Sequence, residues 1–221
     1  MQNAIQLREF LSERFPRIRL LSELENIPAG SSLPTGITQI DALLGGGLPK
    51  GALTEMVQDD VQAGSSLVLC SVLREARQQW VGLIDGRDSF DPASLDFKPS
   101  RLLWIRCHEA AQAMKAADLL LRDGNLPLVL LDLALNPAAQ LRKVSATAWY
   151  RLQRLIEHKS TALLVLTPRP MVSSAKARLF LTANFTLDDL GRPRDQLLSR
   201  LKVVLQNKRF HSDEAEWAQA G

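Results

Sequence analysis

The sequence predicts an α/β fold: a mostly parallel twisted sheet flanked by helices, with an antiparallel strand at one edge and a short helical arm at the N-terminus. Two observations carry this. Apolar runs with little alternation recur along the chain, as strands buried on both faces require, and helix-length segments separate them. With 46% apolar residues in 221, there is enough material for a real core, which excludes wholesale disorder.

In chain order, residues 4–15 place Ile5, Phe10, Leu11 and Phe15 near one helical stripe, and Pro16 stops it. Residues 1–32 thus read as a helical arm and linker, which either packs on its own core or docks on a neighbouring subunit. A short helix is expected at 38–44, followed by a glycine turn at Gly45-Gly-Gly. Strands are predicted at 53–57, 80–84, 102–106, 128–131 and 162–166, and helices at 66–79, 109–122 and 146–157. Two further strands, 179–187 and 201–205, are expected to run antiparallel at one sheet edge, joined by the turn Asp188-Asp-Leu-Gly-Arg-Pro. The core domain spans 33–210, and the polar stretch 211–221 is expected to fray as a tail.

No stretch approaches the roughly 18 apolar residues of a spanning helix, and the N-terminus is charged where a signal peptide would be apolar. The expectation is a cytoplasmic protein with no membrane contact. Cys70 and Cys107 lie in apolar runs without a C-x-x-C partner, so buried thiols are expected, and His108, His158 and His211 lack metal-ligand spacing. Neither a metal nor a cofactor is expected. Charge is uneven: residues 133–221 carry a net +7 and residues 1–132 a net −4. A basic face towards nucleic acid, an acidic partner, or plain solvation each accommodates this.

Between the strand at 53–57 and the next helix stands Glu55-Met-Val-Gln-Asp-Asp-Val-Gln-Ala-Gly64-Ser65-Ser66. A phosphate-binding loop reads G-x-x-x-x-G-K-[S/T]. In this frame Asp59 replaces the first glycine, Gly64 and Ser66 remain, and Ser65 replaces the lysine. Asp59 and Asp60 bring carboxylates to the phosphate's place at a helix N-terminus, and Ser66 suits a helix cap better than a magnesium ligand.

Four stretches together resemble the core of RecA-type recombinases: Pro34-Thr-Gly with Ile40-Asp and Gly45-Gly-Gly-Leu-Pro-Lys-Gly51; the phosphate-loop position; Ile84-Asp-Gly-Arg-Asp-Ser-Phe-Asp-Pro92; and Arg200-Leu-Lys-Val-Val-Leu-Gln-Asn-Lys208. Within that superfamily the chain most resembles the ImuA family, accessory proteins of bacterial mutagenic translesion synthesis, with the division inhibitor SulA a near relative. The resemblance implies a RecA-like core with a degenerate P-loop and places a catalytic glutamate at Arg87, where a guanidinium cannot accept a proton. Asp132 matches an acid that steadies magnesium and water in relatives, or else is a carboxylate paired with a nearby base or cap.

The resemblance further implies no catalysis and a role in SOS-linked DNA repair through protein contacts. Its partners would be an ImuB-type polymerase-like protein, RecA, and indirectly a DnaE-type polymerase. The implied interface uses Ile5, Phe10 and Leu11 of the arm on one side and Lys202 and Lys208 of the final strand on the other. The DNA loops are reduced to Leu133-Ala-Leu-Asn-Pro-Ala-Ala139 and Thr167-Pro-Arg-Pro-Met-Val-Ser-Ser-Ala-Lys-Ala177, leaving Arg169, Lys176 and Arg178 as candidate DNA contacts and DNA binding weak or indirect. A SulA-like inhibitor of FtsZ and an unorthodox DNA-dependent ATPase are the rival readings. The emptied pocket is expected to be closed by ion pairs of Arg87 or Lys208 with Asp59, Asp60 or Asp132. Trp80, Trp104 and Trp149 are expected as core or interface anchors.

Overall fold

A computed structural model describes residues 32–58, 64–183 and 185–206. The arm with Ile5, Phe10 and Leu11, the acids Asp59 and Asp60, Lys208 and the tail lie outside the described residues. The first described elements are β1 (Ser32–Leu33), α1 (Thr38–Leu43) and β2 (Leu48–Pro49), with β1 and β2 antiparallel. Gly47 leads into β2 at φ +125, and a Cβ there would sit 2.2 Å from the Leu33 carbonyl oxygen. Asp41 of α1 accepts from both the Thr35 amide and its hydroxyl at 2.8 Å, which clamps Pro34-Thr-Gly against the helix.

The main sheet comprises β3 (Leu53–Gln58), β4 (Val81–Asp85), β5 (Leu102–Arg106), β6 (Leu128–Asp132), β7 (Ala162–Thr167), β8 (Ala177–Thr182) and β9 (Lys202–Gln206). Its order is β5-β4-β6-β7-β3-β8-β9, parallel throughout except for β9, which runs antiparallel to β8. This is the predicted α/β class with its antiparallel edge. Around it stand α2 (Ser65–Glu75), α3 (Ala110–Asp123), α4 (Ala138–Leu141), α5 (Ala146–Ile156) and α6 (Arg194–Leu198).

Alternating strand residues feed two cores. Met56, Leu83, Leu130, Leu164 and Leu179 pack with Val68, Val72 and Leu73 of α2 on one face. Ile84, Leu131, Leu163 and Val165 pack with Ala113, Ala117 and Leu121 of α3 and Trp149, Leu152 and Ile156 of α5 on the other. The alanines of α3 let its backbone lie close to the sheet. Gln153 of α5 accepts from Leu53 N at 3.0 Å and donates to Gly51 O at 3.1 Å, fixing the entry into β3. Lys159 Nζ donates to the Leu121 and Arg122 carbonyls, which satisfies open acceptors at the C-terminal end of α3.

Two expectations are corrected. The connector between β8 and β9 is not a simple turn: Leu187–Gly191 is a 3-10 helix with a Thr186/Asp189 capping box, followed by α6. The strand expected to reach residue 187 ends at Thr182. Of the tryptophans, Trp149 is core, Trp104 is half-buried, and Trp80, just before β4, is 55% exposed. Both cysteines are buried free thiols, and no described helix is long and apolar enough to cross a membrane.

A single buried carboxylate joins the central strands. Glu55 of β3 is fully buried, and its Oε1 accepts from Thr167 Oγ1 at 3.0 Å, Met171 N at 2.8 Å and Val172 N at 3.0 Å. Its Oε2 takes the Arg178 Nε at 2.5 Å. Glu55 and Arg178 face each other in register across β3 and β8. Removing one partner of a buried pair leaves an uncompensated charge, at a cost of about 3–5 kcal/mol. Glu55→Ala should therefore lose about that much stability in urea titration, and the double variant Glu55→Leu/Arg178→Met should recover only part of it, because the Met171 and Val172 amides stay unpaired. A loss below about 1 kcal/mol, the range of exposed ion pairs, would contradict this role.

Candidate functional site

The carboxyl ends of β3, β4 and β6 bring Gln58, Asp85 and Asp132 to one side of the sheet, where open parallel sheets bind ligands. A cleft of about 180 Å³ lies there, and Ser65 and Ser66 of α2 form part of its wall. Gly64 starts α2 in the left-handed region at φ +85, and a Cβ would meet Leu201 Cδ2 at 2.7 Å. Ser66 is the second residue of the helix, and no side chain caps this end, so the expected Ser66 cap is corrected. The cause is geometric: Gly64, not a serine, occupies the cap position.

Asp85 is buried and shapes the next loop. Its carboxylate accepts from Arg87 N at 3.3 Å, Ser89 N at 3.0 Å and Phe90 N at 2.8 Å. This turns the backbone sharply, with Asp88 at φ +54. Asp88 binds Arg106 through two contacts of 2.6 and 2.8 Å, which holds its carboxyl below the ordinary carboxylate range. Gly86 permits the close approach to β6: a Cβ would lie 2.4 Å from Asn136 Oδ1 and 2.6 Å from the Asp132 carbonyl oxygen. Asn136 Nδ2 in turn donates to Gly86 O at 2.8 Å.

Arg87 is exposed, and its guanidinium donates to the His108 carbonyl at 3.2 Å. Among the described residues no ion pair joins Arg87 to Asp132, so that arm of the expected internal closure is corrected. The loop that Asp85 organises leads Arg87 towards His108 at the end of β5 instead. Asp132 is half-buried opposite Asp85 in register, and its Oδ1 accepts from Ala134 N at 3.0 Å. Burial pushes its carboxyl up to about 6; the Ala134 amide lowers it and the charge of Asp85 raises it further. The cleft wall also holds Phe90, set edge-on to Trp104 with centroids 5.4 Å apart.

The candidate interface and DNA residues lie elsewhere. Lys202 is exposed on the edge strand β9, where Gln39 Nε2 reaches the Val203 carbonyl at 3.3 Å. Arg169 and Lys176 are exposed. Arg178 is corrected as a candidate DNA contact: its side chain turns inward to Glu55 and the Val172 carbonyl. Sequence reasoning missed Glu55, Asp85 and Asn136 as organisers and Gln58 as a residue of the cleft wall. A signal existed for two of them, since Glu55 is an acid inside an apolar strand and Asp85 an acid closing another, and buried acids need partners.

No family model matches the chain. It is similar to the protein named RecA from Xylella fastidiosa (strain M23), with 30% identity over 122 residues, or 52% of this chain and 35% of that one. The corresponding figures for RecA of Teredinibacter turnerae are 33% over 127 residues, 54% and 36%, and for that of Fusobacterium nucleatum 34% over 118 residues, 50% and 31%. The match thus spans about a third of the length of these relatives. This distant partial homology supports a RecA-like family for about half of the chain.

The raised Asp132 pKa has a direct consequence. The folded state holds this proton to higher pH than the unfolded chain, so the associated stability is complete below about pH 4 and is lost as pH rises through 6. Asp132→Asn should be up to roughly 3 kcal/mol more stable than wild type at neutral pH. Urea titrations should show that gain vanish below about pH 4; a pH-independent difference would contradict the assignment.

Proposed function

We propose that this chain is a non-catalytic RecA-like accessory protein of SOS-induced translesion DNA synthesis. It acts through contacts with an ImuB-type polymerase-like protein and RecA, and through the former with a DnaE-type polymerase. The observation that carries the reading is the character of the cleft. Among its described wall residues stand Asp91 and Asp132 and no lysine or arginine, where a nucleotide site needs cations and backbone donors around phosphate.

The sequence changes act in the same direction. Ser65 stands where the phosphate lysine belongs, and a single preorganised donor is worth about 10²–10³ in rate. Arg87 stands where the resemblance places the general base, whose role is worth about 10²–10⁴. With Arg178 turned into the core, Arg169 and Lys176 leave few phosphate contacts in that loop, which favours recruitment by protein over direct DNA binding.

The edge strand β9, with Lys202 and the 62% exposed Val204, is the described part of the partner surface. Immobilised RecA and immobilised ImuB-type protein should each capture the wild type, and Lys202→Glu should weaken capture by one of them about three- to tenfold, as for a charge at an interface rim. Absence of capture by both proteins, or unchanged capture of the variant by both, would overturn this reading.

A further inference from the structure

We propose that the cleft at the carboxyl ends of β3 and β6 is a receptor for a guanidinium group. The inference rests on reading this cleft as non-catalytic and adds the chemistry of its occupant. Three kinds of group meet there. Asp132 and Asp91 supply carboxylates, Gln58 an amide oxygen and Phe90 an aromatic ring. A guanidinium matches that set, because it is a planar cation with five N–H donors and no acceptor, and it stacks on aromatic faces.

Gln58 points independently to a ligand. It lines the cleft, is only 4% exposed, and its Oε1 has no hydrogen-bond partner among the described residues. A buried acceptor without a donor is a standing cost that an incoming N–H removes. Asp132 commits one carboxylate oxygen, Oδ1, to the Ala134 amide. Asp91 Oδ1 accepts from Ala93 N at 2.9 Å in a turn that holds it at the rim.

Two other occupants are disfavoured. An anion is favoured by the N-terminus of α2, but the helix end offers only about half a unit of positive charge against two carboxylates. A metal ion fits poorly, because no group of three His, Cys, Asp or Glu side chains among the described residues is arranged to hold one. A guanidinium is supplied either by an arginine side chain of a protein partner or by a free small guanidine.

The test is titration of the full chain followed by backbone amide NMR, with n-butylguanidine and its uncharged isostere n-butylurea. n-Butylguanidine should shift the amides of Gln58, Ser66, Phe90 and Ala134, and n-butylurea should not. Asp132→Asn should weaken n-butylguanidine binding about tenfold, whereas the exposed Asp123→Asn, on α3 away from the cleft, should leave it unchanged. Binding of acetyl-Gly-Arg-Gly-amide at similar strength assigns the cleft to a partner's arginine, and its exclusion assigns it to a free guanidine. Equal binding of n-butylurea, or no shift of these amides, overturns the inference. Pyrophosphate shifting the same amides would instead overturn the non-catalytic reading on which it rests.

Discussion

The structure depends most on the burial of one charge. Glu55 sits in the interior strand β3, without solvent contact, and its two oxygens take four donors from β7, the loop after it and β8. A carboxylate in that position is tolerable only when every lone pair is engaged and a cation balances it. Arg178 provides the balance from the adjoining strand. The same bonds gather the short segment between β7 and β8 against the sheet, so the chain crosses from β7 to β8 over a pinned path. The pair also specifies register, because a one-residue slip of β8 would place Arg178 on the opposite face.

A second buried carboxylate, Asp85, does for the site what Glu55 does for the sheet. It converts the end of β4 into a tight loop and presents Phe90 and Asp91 to the cleft. Asp132 stands opposite it in register, where burial raises its affinity for a proton and the charge of Asp85 adds to that. This strand-end geometry is common to open parallel sheets, and the described wall of the cleft carries carboxylates where a phosphate site carries cations.

The fold was largely legible because most strands are buried on both faces. The runs at 53–57, 128–131 and 162–166 match strands to within a residue, since a short continuous apolar run flanked by helical periodicity has few other uses. Short elements escaped for the opposite reason. A pair of two-residue strands such as β1 and β2 has no period to detect, and Leu187–Gly191 with α6 is polar enough to read as a turn. Of the site, the convergence of Ser65, Ser66 and Asp132 followed from the motif frame and the strand ends. The inward turn of Arg178 did not, because its pairing with Glu55 depends on which strands are neighbours, and 123 residues separate the two in sequence.

We propose that the scaffold of a nucleotide site persists here without nucleotide chemistry. Isothermal titration of the protein with magnesium-ATP tests it most directly, because binding and its absence separate an enzyme from a binding module in one measurement. A cleft without nucleotide chemistry gives no saturable heat. Saturable binding accompanied by phosphate release that Asp132→Ala abolishes would contradict it.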